Sequence, residues 1–146
     1  MIVRKYEDGD LETCIRIMLD TFNGEPWNNK WTPESAGRYL REFVGHKRFV
    51  GYVTEEYGVV VGAAFCRGKV WYAGDELFVE EFFIHPKFHG KGFGSQLLKT
   101  LEKHAADNGL SAVTLLTDKC VPAPKFYQAH GFTVADQTMF MYKDLD

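Results

Sequence analysis

Apolar residues recur along the chain at two periods, one helical and one strand-like. After a short strand-like stretch, Ile2 to Tyr6, the residues Leu11, Ile15, Met18, Leu19 and Phe22 fall three or four apart, which places them on one helical face. Asp8 or Asp10 is positioned to cap that helix, and Asn23-Gly24 to end it. Gly24 to Trp31 reads as a loop. Thr32-Pro33-Glu34 then reads as a helix start, with Thr as N-cap and Pro at the first helical position, running to about Val44. Strand patterns follow at Arg48 to Thr54, Val59 to Cys66 and Glu76 to Ile84, with a short ribbon at Val70 to Tyr72. Leu97, Leu98, Leu101 and Ala105 define the clearest helix, preceded by Gly94-Ser95 and closed by Asn108-Gly109. A buried-type strand at Ala112 to Thr117, a short helix at Pro124 to His130 and a hairpin or bulged pair at Phe132 to Lys143 complete the pattern. That order predicts an α/β (α+β) mixture on a mostly antiparallel sheet, unlike the regular alternation of a doubly wound fold.

Composition narrows the picture. With 146 residues, no internal repeat and no linker-like tract, residues 1–146 read as a single domain. A formal charge of -3 without a basic stripe argues against nucleic acid. No apolar run approaches the roughly 18 residues of a membrane span, and the first ten residues have no leader-like apolar region. Cys14, Cys66 and Cys120 are odd in number and fit neither a zinc spacing nor a disulfide framework, so a reducing cytoplasm is the expected setting. Cys14 and Cys66 lie on apolar faces and read as core.

Chemistry concentrates in Glu80 to Ser95, a strand–loop–helix segment. Gly90, Gly92 and Gly94 alternate just before a helix, where backbone N–H groups and the helix dipole form a cradle suited to a pyrophosphate. It is not a P-loop, because Gly92 follows Lys91 where Ser or Thr is required. It is not a dinucleotide fingerprint, because Ser95 stands three after Gly92. His85 and His89 are four apart, but Pro86 breaks the helix that would align them and no third ligand is evident, so no metal is expected. Cys120 lacks a legible His-Asp partnership for nucleophilic work.

His89-Gly90-Lys91-Gly92-Phe93-Gly94 resembles the acetyl-CoA loop of the GNAT superfamily of N-acyltransferases, with His in place of the usual Gln or Arg. Ala123 to Phe132 is similar to that family's Ala-x-x-Phe/Leu-Tyr-x-x-x-Gly-Phe segment, with Cys120 where Asn is usual. The resemblance implies the GNAT fold: a mixed, mostly antiparallel sheet with a splayed fourth strand and about four helices. It implies acetyl-CoA as co-substrate, held by Phe82, Phe83, Ile84, His89, Gly90, Lys91, Gly92, Phe93, Gly94, Ser95, Cys120 and Tyr127. It further implies direct acetyl transfer to an amine, with Tyr127 as general acid to the departing thiolate. Glu81 is the candidate base, and strict alternation puts Glu80 on the opposite face. Trp27, Trp31 and Trp71, with Tyr72, Glu25, Asp75, Glu76 and Glu81, are candidates for an aromatic, acidic pocket suited to a cationic amine. The Pro-Trp-Asn…Trp-Thr-Pro-Glu stretch resembles aminoglycoside 6′-acetyltransferase-like members. The alternatives are a protein or peptide amine as acceptor, or a catalytically idle acyl-CoA-binding module. A homodimer is compatible with the resemblance.

Overall fold

A computed structural model describes residues 1–145. The chain divides into two compact units, Met1–Leu116 and the residues from Thr117 onward. The first holds a five-stranded sheet in the order β1 (Ile2–Lys5), β2 (Phe49–Glu56), β3 (Val59–Lys69), β4 (Glu76–Ile84) and β5 (Ala112–Leu115). Neighbours from β1 to β4 are antiparallel, and β4 pairs with β5 in parallel. Helices α1 (Leu11–Phe22) and α2 (Pro33–Val44) connect β1 to β2, and α3 (Phe93–Asp107) connects β4 to β5. The turn joining β2 to β3 is Tyr57-Gly58, both at positive φ (52° and 78°), as the twist of a tight hairpin requires.

Each helix forms where its pattern predicts. Thr32 caps α2 by accepting from the Ser35 N–H at 3.0 Å, and the Ser35 hydroxyl oxygen in turn accepts from the Thr32 N–H at 2.9 Å. One sheet face packs Val53, Ala63, Phe65 and Phe83 against Cys14, Ile15 and Met18 of α1 and Ala36 and Leu40 of α2. The other face receives α3, with Leu97, Leu98 and Leu101 fully buried and Tyr52 meeting His104 at 3.0 Å. Arg4 ties β1 to its neighbours, donating to Glu55 at 2.7 Å and to both Asp10 oxygens at 2.9 Å. Burial pushes the Cys14 thiol up to about 12 and raises that of Cys66, which suits core residues and not nucleophiles. No helix among the described residues is long and apolar enough to cross a membrane.

Two expected elements are absent. The ribbon at Val70 to Tyr72 is a turn, closed by the Gly74 N–H on the Trp71 carbonyl at 3.0 Å. The β3–β4 ladder runs out to Lys69↔Glu76, so the residues between them are consumed in reversing the chain. Among the described residues the hairpin expected at Phe132 to Lys143 forms no ladder either; the segment has no regular structure apart from a turn closed by the Thr138 N–H on the Ala135 carbonyl at 3.0 Å. Met139, Phe140, Met141 and Tyr142 are four consecutive apolar residues, all exposed, and lack the period-2 pattern that selects a buried face. The second unit centres on α4 (Ala123–Ala129).

Candidate active site

A bulge in β4 organises the site. Along β3, Phe65 pairs with Glu81 and the next residue, Cys66, with Val79, so Glu80 is the extra residue in β4. The count restores Phe78 opposite Arg67, and Glu80 and Glu81 therefore share the face that carries Phe65 and Arg67. This corrects the expectation from strict alternation that Glu80 turns away: the inserted residue resets the period. Glu80 pairs with Arg67 at 3.5 Å. The bulge also marks where β4 parts from β5, whose pairing covers only Glu76–Val79. Beyond it, Phe82, Phe83 and Ile84 have no β5 pairing among the described residues, as a fourth strand splayed from its neighbour requires. Phe83 is a core side chain (2% exposed), so what it offers a ligand is backbone.

Glu81 sits at that divergence. Tyr39, from α2, donates its hydroxyl to Glu81 Oε2 at 2.7 Å, and the Phe82 N–H also bonds the carboxylate. Part of the residue reaches the surface while its carboxylate lies deep. Burial dominates over these hydrogen bonds and, with the like charge of Glu80, pushes the carboxyl up to about 7. Burial and the Glu81 carboxylate together raise the Tyr39 phenol above its usual range, so it remains a donor.

The residues before α2 shape the adjoining groove. Asn23, just past α1, clamps Trp31 at both backbone groups, accepting its N–H and donating to its carbonyl at 2.8 Å each; the indole N–H bonds Asn29 at 3.1 Å. The Trp31 ring lies against Tyr39, with centroids 4.8 Å apart. Trp31, Glu34, Arg38, Tyr39 and Glu42 line an open groove of about 410 Å³. Of the expected pocket residues, Trp31 and Glu81 are thus brought together through Tyr39. Trp27 packs instead on Phe22 (5.1 Å). Trp71 lies at the β3–β4 turn beside Tyr72 (5.1 Å) and under Lys69 (5.7 Å), while Asp75 pairs with Arg48 at 3.0 Å and Glu76 accepts from Thr114 at 3.3 Å. The sequence reading missed Tyr39, Glu34 and Glu42. The signal available was the capped start at Thr32, from which Ser35, Tyr39 and Glu42 fall on one helical face.

The glycine loop leads from β4 into α3. Gly90 and Gly92 have φ of 73° and 88°, a region that disfavours side chains. Gly92 is the N-cap of α3 and supplies no side-chain cap, so the backbone N–H groups of Phe93 and Gly94 have no intrahelical acceptor at the helix start. Among the described residues, a Cβ at Gly90 would meet nothing within 4 Å, and at Gly92 the Met1 Cε at 3.9 Å. An uncapped helix start flanked by open space fits a pyrophosphate. Phe93 anchors the turn in the core (2% exposed) and meets Phe88 at 5.5 Å; Lys91 lies 5.6 Å over the Phe88 ring. His89 bonds the Ile84 carbonyl through Nε2 at 2.6 Å, which makes Nε2 the protonated nitrogen and spans the loop back to the end of β4. His85 accepts the Lys87 N–H at Nδ1 and turns Nε2 to Asp20 at 3.0 Å.

In the second unit, Tyr127 is nearly buried on α4, with Phe126 and Phe132 rings each 5.3 Å away. Gly131, at φ 89°, ends the helix and lets the Phe132 N–H return to the Tyr127 carbonyl at 3.0 Å. Cys120 is exposed.

A splayed β4, a glycine loop and an uncapped α3 are what an acyl-CoA-dependent transferase of the GNAT type is built from. The model of the acetyltransferase (GNAT) family matches residues 11–132, and the chain belongs to that family. It is similar to an acetyltransferase of Yersinia enterocolitica, 26% identical over 121 residues that cover 80% of this chain and 75% of the relative. Among solved structures, a transcriptional regulator from Bacillus halodurans has a TM-score of 0.80 at 24% identity, covering 97% of this chain and 99% of its own. An aminoglycoside acetyltransferase from an uncultured soil metagenomic sample, in complex with sisomicin, has a TM-score of 0.76 at 16% identity, covering 99% and 96%. At these identities the two structures share the fold. The chain is an acetyltransferase, and membership of the family implies acetyl-CoA as its donor.

Proposed function

We propose that this chain transfers the acetyl group of acetyl-CoA directly to the primary amine of a small, cationic molecule held in the Trp31–Tyr39 groove. The observation that carries the reading is Glu81, a deep carboxylate with its proton affinity raised to about 7, placed where β4 leaves β5. A carboxyl of that proton affinity is about half ionised near neutrality, and its ionised form takes the proton that the attacking amine nitrogen sheds as the C–N bond forms, directly or relayed by a bridging water. Glu34 and Glu42 give the groove acidic walls, and the faces of Trp31 and Tyr39 suit a cation.

When bound, acetyl-CoA supplies an activated thioester carbonyl. The chain's own residues take the following parts in this reading. The α3 start and the turns at Gly90 and Gly92 hold the pyrophosphate; the β4 backbone from Phe82 to Ile84 orients the pantetheine arm; Glu81 accepts the amine's proton. Tyr127 is assigned the proton returned to the departing thiolate, on the strength of its Phe-Tyr-x-x-x-Gly-Phe context. The soil aminoglycoside acetyltransferase with the same fold makes aminoglycosides and polyamines the first acceptors to try.

Replacing Glu81 by Gln tests the reading. CoA release with these amines at pH 7.5 falls by about 10²-fold in Glu81→Gln while acetyl-CoA affinity is retained. Unchanged turnover in that variant refutes Glu81 as the base.

A further inference from the structure

One side chain joins the groove wall to the buried carboxylate. Tyr39 is held between Trp31, at 4.8 Å, and Phe43, which meets it edge-on at 4.6 Å. Trp31 is itself fixed by Asn23 and Asn29, so the phenol has little rotational freedom. Its hydroxyl reaches Glu81 Oε2 at 2.7 Å across 42 residues of sequence.

Among the described residues, the charged groups around Glu81 do not supply a counter-ion in its place. Glu80, its neighbour on the same face, has like sign, and Arg67 on β3 is turned to Glu80 at 3.5 Å. On α2, Arg38 and Glu42 border the groove, and Asp20 on α1 is engaged by His85 at 3.0 Å. A neutral donor at the carboxylate therefore has a job that packing alone does not explain, since Phe would fill the same space between Trp31 and Phe43.

We propose that Tyr39 is a positioning residue for Glu81: its hydroxyl holds Oε2 and, with the Phe82 N–H, fixes the carboxylate plane, so that a remaining carboxylate lone pair receives the proton of the amine, directly or through a bridging water. The inference rests on the reading of Glu81 as the base. Tyr39 moves no proton itself, because its phenol is held in the protonated form. It also gives the groove a direct mechanical link to the base, since a ligand that shifts the Trp31–Tyr39 wall shifts the hydroxyl bonded to Glu81.

The test is a carboxyl-carbon NMR titration of the glutamate-labelled protein without any acceptor, with Glu81→Gln identifying the Glu81 signal. In the wild type Glu81 titrates near 7. In Tyr39→Phe its midpoint rises by about one pH unit, because the lost hydrogen bond favoured the ionised form. The acidic limb of kcat/KM, measured with the panel amine that releases CoA fastest, moves the same way. Phe keeps the ring contacts, and a melting temperature close to that of the wild type verifies that the variant is folded. An unmoved midpoint and limb in Tyr39→Phe, with Glu81→Gln impaired, overturn the role of Tyr39 alone. Unimpaired turnover in Glu81→Gln overturns the base and, with it, the positioning of that base.

Discussion

Glu81→Gln is expected to make the protein more stable above pH 7 while making it a poorer enzyme. The folded chain holds the Glu81 proton up to about 7, whereas the unfolded chain releases it at the ordinary 4.5. Between those values the folded state binds the extra proton, so this group's contribution to stability falls as pH rises and reaches its full penalty above about pH 8. At about 1.4 kcal/mol per pH unit, the difference comes to about 3 kcal/mol. Gln has no charge to bury, and its amide oxygen still accepts from the Tyr39 hydroxyl, so the variant escapes the penalty without losing the bond. Urea unfolding at pH 4, 5, 6, 7 and 8 supplies the comparison. The two proteins should differ little at pH 4, and the variant should lead by about 3 kcal/mol at pH 8. That lead corresponds to a melting midpoint about 6–12 °C higher for a chain of this size. Groups such as Asp10, whose carboxyl is lowered by Arg4, impose their own slope in acid, but both proteins share it and it cancels. A difference independent of pH would refute the claim that burial holds the Glu81 proton.

Three further substitutions probe other parts of the site. Gly92→Val puts a β-branched side chain at φ 88° in the open space of the cradle. It should weaken acetyl-CoA binding by at least about tenfold in calorimetry, from backbone strain of about 1–2 kcal/mol together with obstruction. Gly62→Ala, in β3, would place a Cβ 2.7 Å from the Phe83 carbonyl and against Ile84, forcing the end of β4 outward. The expected cost is about 1–3 kcal/mol in urea unfolding, with a raised KM for acetyl-CoA. Tyr127→Phe should lower kcat while leaving acetyl-CoA affinity almost unchanged; equal turnover would remove Tyr127 from the mechanism.

What was legible in the sequence depended on how local its cause is. The loop from His89 to Ser95 could be read because alternate glycines before a helix act on their own backbone, and Thr32-Pro33 announced α2 for the same reason. The β2–β3 hairpin was legible in the strand patterns at Arg48 to Thr54 and Val59 to Cys66, which leave only a short connection between them. The pairing of Glu80 and Glu81 on one face was not, because a bulge is set by the register of β3 against β4 and breaks the period on which the reading relied. Tyr39 escaped because its partner lies on another element, and nothing about a tyrosine on a helix declares a distant carboxylate. Trp71 was grouped with Trp31 on residue type, yet the β3–β4 turn carries it to Tyr72 and Lys69. The apolar run Met139 to Tyr142 was read as strand on composition, but a strand also needs a ladder partner.

The central claim is that this fold delivers an acetyl group from acetyl-CoA to an amine. Its most direct test is calorimetric titration of the protein with acetyl-CoA, followed by measurement of CoA thiol release over polyamines and aminoglycosides. The account predicts saturable binding of acetyl-CoA and release that depends on the amine and rises with pH through about 7, where Glu81 ionises. Absence of acetyl-CoA binding would contradict the reading of the glycine loop, and binding without amine-dependent release would contradict acetyl transfer to a small cationic amine.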